Sequence, residues 1–261
     1  MLLAIDSGNT NTVFAIFDDD GTVLGQWRAT SKTERTADEH GVWLMQLLAL
    51  ADIDRAAIDS AIIATVVPTT LFSLKTLCRT YFNADPLVVG EEEVKLGIEV
   101  LLDQPKEVGA DRLVNAISAH QRYGGPLIIV DFGTATTFDV VDGDGNYAGG
   151  VIAPGVNLSQ EALHMAAAKL PRVAICRPER VIGKGTVEAM QSGIYWGYLS
   201  MVEGVVGRIK KEFGAAMKVV ATGGLAPLFA ESTDLIECAD GELTLRGLYA
   251  IHLLNKLSST S

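Results

Sequence analysis

Two aspartates, Asp6 and Asp131, each end a run of aliphatic residues and each precede a glycine by two places. We expect Gly8 and Gly133 to stand in tight turns that need a residue free of steric limits on φ. A carboxylate at a strand end can hold a cation, and the backbone N–H groups of an open turn can hold phosphate oxygens. Two such hairpins in one chain predict a nucleotide-binding site.

The first turn is rich in small hydrogen-bond donors. Ser7, Thr10 and Thr12 carry hydroxyls without bulk, and Gly8 lets the backbone approach a phosphate closely. Asp6 cannot itself bind phosphate, but it suits Mg²⁺ held through water, because that ion keeps several waters and needs only one or two carboxylates. Taken alone, the segment could equally be an Asx-turn in an ordinary hairpin. The recurrence of the pattern later in the chain favours the functional interpretation.

A third acidic residue stands in a different setting. Asp111 lies beside Arg112 at a predicted helix start, and Gly109 and Ala110 before it leave space for a substrate. The helix dipole is expected to help keep the carboxylate ionised, so that Asp111 could accept a proton from an attacking hydroxyl. Arg112 could bind a carboxylate of the substrate through paired hydrogen bonds. From these four residues alone, an N-cap aspartate beside a surface arginine is the alternative.

Composition limits the classes of function. The chain has 261 residues, of which 48% are hydrophobic and 20% charged, enough for a buried core in one or two domains. Its net charge of −11 opposes binding to nucleic acid and to anionic membranes. No signal peptide or spanning segment is visible, which predicts a cytoplasmic protein. The P-loop pattern is missing, and the scattered cysteines and histidines predict neither a disulfide framework nor a zinc site.

The periodicity of the hydrophobic residues predicts the same order of elements twice. Strands are predicted at 2–6, 12–18, 22–29, 61–68, 86–90, 127–131, 135–141, 146–152, 217–221 and 235–238, and helices at 37–51, 68–82, 108–123, 156–168, 184–213, after Gly224 and at 242–256. Each half then has the order βββ-α-β-α-β, and the helix at 108–123 joins the halves. We predict two domains, residues 1–115 and 116–261.

This repeated order, with an acidic hairpin at each start, resembles the superfamily of sugar kinases, actin and heat-shock chaperones. The resemblance implies an α/β fold of two ribonuclease-H-like domains, with ATP in the cleft between them and closure during turnover. Within this superfamily, the chain resembles the type III pantothenate kinases in six short motifs, which occur in the same order and extend over essentially the whole chain. They are Asp6-Ser7-Gly8-Asn9-Thr10, Thr65-Val66-Val67-Pro68, Gly109-Ala110-Asp111-Arg112, Asp131-Phe132-Gly133-Thr134-Ala135-Thr136-Thr137, Gly149-Gly150-Val151-Ile152-Ala153-Pro154-Gly155 and Thr222-Gly223-Gly224. Each motif alone is weak, but the set is specific.

Resemblance to that family implies ATP-dependent phosphorylation of the primary hydroxyl of pantothenate to 4′-phosphopantothenate, the first step toward coenzyme A. It implies Asp111 as the proton acceptor and Asp131 as the ligand of a monovalent cation, K⁺ or NH₄⁺, which would supply positive charge near the phosphates. The residues predicted to bind ATP are Asp6, Ser7, Gly8, Asn9, Thr10, Asn11, Thr12, Val13 and Thr134, with Asp6 also holding Mg²⁺ through water. The residues predicted to bind pantothenate are Leu102, Gly109, Ala110, Asp111, Arg112 and Thr186.

Two points of the resemblance concern the substrate pocket. Thr186 is implied to contribute a hydroxyl to the neighbouring subunit's site, so a homodimer is expected. Many family members carry a tyrosine just before the segment Asp-Asn-Pro-Lys-Glu-Val, whereas Leu102 stands at that place here. A leucine keeps the apolar contact and loses the phenol donor, which affects the affinity for the substrate or its orientation.

Two other functions remain compatible with the sequence. Another small-molecule kinase, or a polyphosphate-type phosphatase of the same superfamily, would keep both hairpins and bind a different acceptor. A non-catalytic ATP-binding module would also keep them, but it has no need of an acid beside Arg112.

Overall fold

Two five-stranded mixed sheets organise the chain in a computed structural model that describes residues 1–167 and 170–258. The strands are β1 Leu2–Ser7, β2 Asn11–Phe17, β3 Val23–Thr30, β4 Ser60–Thr65, β5 Leu87–Val88, β6 Leu127–Phe132, β7 Ala135–Val141, β8 Tyr147–Pro154, β9 Lys218–Gly223 and β10 Cys238–Ala239. The helices are α1 Ala37–Leu50, α2 Pro68–Phe82, α3 Ala110–Tyr123, α4 Val156–Ala166, α5 Thr186–Phe213, α6 Ala226–Ala230 and α7 Leu243–Ser258, with short 3₁₀ turns at Arg55–Ala57 and Pro105–Glu107.

The first sheet has the strand order β3-β2-β1-β4-β5, with β1 antiparallel to β2 and parallel to β4. Alternate residues of β1 enter two different cores, because successive side chains of a strand point to opposite faces. Leu3 and Ile5 pack with residues of α1 and α2. Leu2 and Ala4 pack with residues of α3 and α7. The sheet is therefore covered on both faces, and Asp6 follows on the face that carries α3 and α7.

The second sheet has the order β10-β9-β6-β7-β8 and repeats the pairing of the first, with β6 antiparallel to β7 and parallel to β9. Ile128 and Val130 of β6 face a core built largely by α5 and completed by Phe229 of α6. The ring of Phe229 stacks on Phe132 with centroids 4.8 Å apart. The two halves thus use one strand plan, as the repeated hydrophobic pattern predicts.

The predicted elements are present, and the differences are local. The last strand of each half, β5 and β10, is only two residues long, and the helix after Gly224 is the single-turn α6. The predicted helix 156–168 is observed as α4, which ends at Ala166, and its last predicted residue lies outside the described residues. Thr36 and Glu39 form a capping box at the start of α1.

Contacts divide the chain into two compact units whose bounds differ from the predicted ranges 1–115 and 116–261. The first comprises Met1–Glu99, Asp103–Ser118 and α7, and the second comprises Val100–Leu102 and Ala119–Glu242. The C-terminal helix belongs with the first unit because its residues Leu245, Leu248 and Ile251 share a core with α3. The order of elements in the sequence does not reveal that the C-terminal helix packs in the first unit. In the described part of the chain, no helix has both the length and the apolarity needed to cross a bilayer.

Candidate active site

The first hairpin turn is closed by a hydrogen bond from the Gly8 N–H to the Asn11 carbonyl at 3.0 Å. Neither Gly8 nor Gly133 has a positive φ, so the expectation that these positions need freedom of φ is wrong. A Cβ added at Gly8 would lie 3.4 Å from the Asn11 oxygen, which is an ordinary contact. The glycine therefore matters for what it leaves uncovered, since a side chain there would stand between the turn and a ligand.

A buried network of hydroxyls supports the turn from below. Ser7 and Thr12 are almost fully buried, and their hydroxyl oxygens lie 3.1 Å apart. Ser7 also lies 3.3 Å from the hydroxyl of Thr70, and Thr12 lies 2.9 Å from that of Ser31. The Ser31 hydroxyl donates to the Gly8 carbonyl at 2.6 Å. Two of the three hydroxyls predicted to contact phosphate are thus used to hold the shape of the turn.

The surface of the turn consists of Asn9 and Thr10, which are exposed, and Asn11, which is half-buried. The Ser31 N–H donates to the Thr10 carbonyl at 3.0 Å, so that the chain leaving β3 fixes the tip of the turn. Val13 points into the core below. Within the predicted ATP-binding segment, the residues able to meet a ligand directly are those at the tip.

Asp6 is the penultimate residue of β1 and lies near the carboxylate of Asp111. Burial raises the pKa of Asp6 from its ordinary value of 3.8 to about 7, the charge of Asp111 adds to the rise, and the charge of Arg28 opposes it. Two carboxylates that repel each other in a poorly solvated place favour a bound cation, because a cation removes both the repulsion and the desolvation cost. The donor set fits the predicted Mg²⁺ site.

Asp111 stands in the first turn of α3, where its Oδ1 accepts from the Arg112 N–H at 2.8 Å. Burial raises the pKa of Asp111, and the hydrogen bond from Arg112 and the charge of that residue lower it by less. Burial therefore outweighs the hydrogen bond and the charge of Arg112 in setting the pKa of this carboxylate. A carboxylate of raised pKa is a stronger base, which suits a proton acceptor.

Gly109 explains how Asp111 obtains its position. A Cβ at Gly109 would lie 2.6 Å from the Asp111 Oδ1 and 3.3 Å from the Val66 Cγ1. The Gly109 carbonyl accepts from the N–H groups of Arg112 and Leu113 at 3.1 and 3.3 Å. The glycine thus precedes the helix and leaves room for the carboxylate near Val66, the residue that follows β4. The motifs at 65–68 and 109–112 are brought together by this contact.

The second hairpin differs from the first in length. Asp131 pairs with Thr137, whereas Asp6 pairs with Val13, so the second turn is one residue shorter. Its Gly133 N–H donates to the Ala135 carbonyl at 3.0 Å. The duplicated sequences therefore produce turns of unequal size. This difference is consistent with the binding of a different ligand at each turn.

Glycines from distant segments pack against the second turn. A Cβ at Gly223 would lie 2.6 Å from the Asp131 Oδ1 and 2.7 Å from the Phe132 oxygen, and φ of Gly223 is +88°. A Cβ at Gly155 would meet the backbone oxygens of Thr134 and Gly133. Oxygen atoms from a carboxylate and several carbonyls gather around this turn, which is the donor type that K⁺ binds. The residues fit the predicted monovalent cation.

The remaining predicted residues lie in the second unit. Leu102 is half-buried, and its Cδ2 lies 3.5 Å from where a Cβ of Gly149 would stand. Thr186 is exposed at the first position of α5, and Thr134 is exposed in the second turn. The contacts expected of Leu102 and Thr186 with pantothenate and of Thr134 with ATP stay predictions. The helix after Thr222-Gly223-Gly224 has a single turn, and Thr222 is buried.

Three further residues of this site are marked by no sequence motif: Arg28, Ser31 and Thr70. Ser31 and Thr70 belong to the hydroxyl network, and Arg28 acts on Asp6 through its charge. Arg28 could be recognised only from the register of β3, in which Arg28 pairs with Val13 of β2. Clusters of three or more metal-binding side chains are not found among the described residues.

Solved structures show the same fold at low sequence identity. The activator of the 2-hydroxyisocaproyl-CoA dehydratase from Clostridium difficile superposes with a TM-score of 0.55 at 14% identity, covering 99% of this chain and 97% of that one. The inorganic polyphosphate/ATP-glucomannokinase from Arthrobacter sp. gives a TM-score of 0.50 at 13% identity, with 98% of both chains covered. The chain has the two-domain fold of sugar kinases and actin-like ATPases.

Sequence relatives are far more similar. The Type III pantothenate kinase of Paramagnetospirillum magneticum is 67% identical over 98% of both chains. That of Rhodospirillum rubrum is 64% identical over 98% of this chain and 99% of its own. The family model described as Type III pantothenate kinase matches residues 2–208, which include both hairpins and Asp111. This chain belongs to the type III pantothenate kinase family.

Proposed function

We propose that the site around Asp6 and Asp111 transfers the γ-phosphate of ATP to the primary hydroxyl of pantothenate, forming 4′-phosphopantothenate and ADP. Membership of the family makes the chain an ATP-dependent pantothenate kinase of coenzyme A biosynthesis. The observation that supports the roles of individual residues is the pair of nearby carboxylates, one in the strand that leads into the first hairpin turn and one at a helix start. A binding module needs no such pair.

Asp111 is the proposed proton acceptor. The pantothenate hydroxyl oxygen attacks the γ-phosphorus, the bond from that phosphorus to the β–γ bridging oxygen breaks, and the hydroxyl proton passes to Asp111. The raised pKa of Asp111 gives the carboxylate more affinity for that proton. Holding the two reactants in line supplies most of the acceleration.

Arg112 is proposed to bind the carboxylate of pantothenate, with Gly109 and Ala110 lining the pocket. Leu102 contributes apolar contact in place of the tyrosine common in the family. Thr186 is proposed to reach the pocket of a second subunit, and its exposure at the start of α5 supports this role. The enzyme would then be a homodimer.

The nucleotide is proposed to bind at the hairpin turns. The tip residues Asn9 and Thr10 and the backbone of Gly8 would meet its phosphates, and Thr134 would meet it from the second turn. Asp6 would hold Mg²⁺ through water, and Asp131 would hold K⁺ or NH₄⁺. When bound, these cations neutralise the negative charge of the phosphates, which the side chains at the two turns do not neutralise.

A coupled assay of ADP formation with pantothenate, ATP and Mg²⁺ tests the function. Turnover should require pantothenate and should be faster in K⁺ than in Na⁺. For Asp111→Asn we expect kcat to fall by at least about 10² while ATP still binds, since the variant keeps the shape of the side chain and loses the base. Turnover of Asp111→Asn at the wild-type rate would remove the proposed base. Equal rates in Na⁺ and K⁺ would remove the role given to Asp131.

A further inference from the structure

A row of side chains crosses the first sheet at the level of Asp6. Asp6 of β1 pairs with Val13 of β2, and Val13 pairs with Arg28 of β3. Directly paired residues point to the same face, so Arg28 and Asp6 lie on one face with Val13 between them. Two strand spacings separate their backbones by about 10 Å, which a long arginine side chain largely spans. Arg28 therefore reaches toward the Asp6 carboxylate.

The charge of Arg28 acts on Asp6, but the side chain is not held there. Arg28 is the basic group whose charge lowers the pKa of Asp6 against the larger effect of burial. Within the described residues, Arg28 is exposed and its guanidinium makes no hydrogen bond or salt bridge to a protein group. Its five N–H donors are available for a ligand.

Arg28 and Asp111 lie on opposite sides of Asp6. The carboxylate of Asp111 sits beside Val66, which follows β4, and β4 is the neighbour of β1 on one side. Arg28 is on β3, beyond the neighbour on the other side. A phosphoryl group held over Asp6 would thus have the proton acceptor on one side and a guanidinium on the other.

We propose that Arg28 binds the phosphates of ATP at the first hairpin and stabilises the charge that moves to the ADP oxygens as the γ-phosphoryl group leaves. The proposal rests on the proposed function and adds a catalytic residue to it. Guanidinium groups bind phosphate oxygens through paired donors, and negative charge increases on the leaving group during transfer. No bond is made or broken at Arg28 itself.

The experiment compares Arg28→Gln and Arg28→Lys with the control Arg55→Gln. Arg55 is also exposed and in the same unit, and its removal changes the net charge equally. We expect Arg28→Gln to lower kcat/KM for ATP by about 10², with the KM for pantothenate unchanged, Arg28→Lys to restore part of the loss, and Arg55→Gln to match the wild type. Binding of a non-hydrolysable ATP analogue with Mg²⁺, measured by calorimetry, should weaken in Arg28→Gln by at least about fivefold.

The calorimetric measurement needs no phosphate acceptor, so it tests the role of Arg28 independently of the kinase assay. If the wild-type protein failed to phosphorylate pantothenate, that failure would contradict only the proposed function. An Arg28→Gln variant that binds the analogue and turns over within twofold of the wild type would overturn the proposal. So would full recovery of kcat/KM for ATP in Arg28→Gln at high Mg²⁺, because Arg28 would then act only on Asp6. Unchanged melting temperatures of the ligand-free variants show that folding does not cause the loss.

Discussion

Gly109→Ala places a methyl group against the proposed base. The added Cβ would lie 2.6 Å from the Asp111 Oδ1, whereas ordinary contact begins near 3.4 Å. The carboxylate must therefore move by about 0.8 Å, and a displacement of that order in a reacting group can cost up to about 10² in rate. We expect kcat to fall by roughly 10- to 100-fold.

Stability should change little in Gly109→Ala. Gly109 does not have a positive φ, and the closest atom to the added methyl belongs to a side chain that can turn away. The free energy of unfolding should stay within roughly 0.5 kcal/mol of the wild type. Steady-state kinetics with ADP detection and urea unfolding measure the two quantities. Gly143→Ala is the control, because a Cβ there has open space around it.

A double variant separates displacement of the base from other effects of the methyl group. If Gly109→Ala acts through Asp111, adding it to Asp111→Asn should cost little more, because the base is already lost. Independent, multiplicative losses in the double variant would refute this reasoning. A Gly109→Ala enzyme with wild-type kcat would show that the position of the carboxylate is not critical.

The raised pKa of Asp6, about 7, means that the native protein keeps a proton that the unfolded chain releases, so this residue makes stability fall as pH rises from about 4 to about 7. In the ligand-free protein, the melting temperature of Asp6→Asn should therefore fall less between pH 5 and pH 8 than that of the wild type. The same fall in both proteins would contradict the raised pKa of Asp6. Gly223→Ala, with φ of +88° and a contact of 2.6 Å to Asp131, should abolish the difference between K⁺ and Na⁺ in the kinase assay; a preserved K⁺ preference would contradict the role of this turn. Thr12→Val removes a hydroxyl that is buried against Ser31 and should cost roughly 1–3 kcal/mol of stability in urea unfolding, which a neutral result would disprove.

Most of the fold could be predicted from the sequence, because the strands and helices have strong hydrophobic periods and recur in one order. The two aspartate hairpins and the helix start at Gly109 are found where the sequence places them. The inclusion of α7 in the first unit was not predictable, since it depends on a contact between α3 and a segment more than a hundred residues later. The lengths of β5 and β10 also escaped prediction, because short edge strands are specified by their neighbours.

The candidate site was predicted in its chemistry and only partly in its geometry. Residue type alone does not distinguish the hydroxyls of the first turn, but the structure buries Ser7 and Thr12 beneath the turn and leaves Thr10 at its tip. Arg28 has no motif around it, and the pairing of β3 with β2 is what brings it to the face of Asp6.

The duplicated order of elements, the acidic residue near the end of each first strand and the family are evident from the sequence, because they depend on residue type and local spacing. Tertiary structure decided which of these groups interact. It set the pKa of Asp6 through burial and the charge of Asp111, it made the two turns unequal in length, and it brought Gly223 against Asp131. Interaction energies between charges depend on distance and solvation, and both are fixed only when segments far apart in the chain pack together.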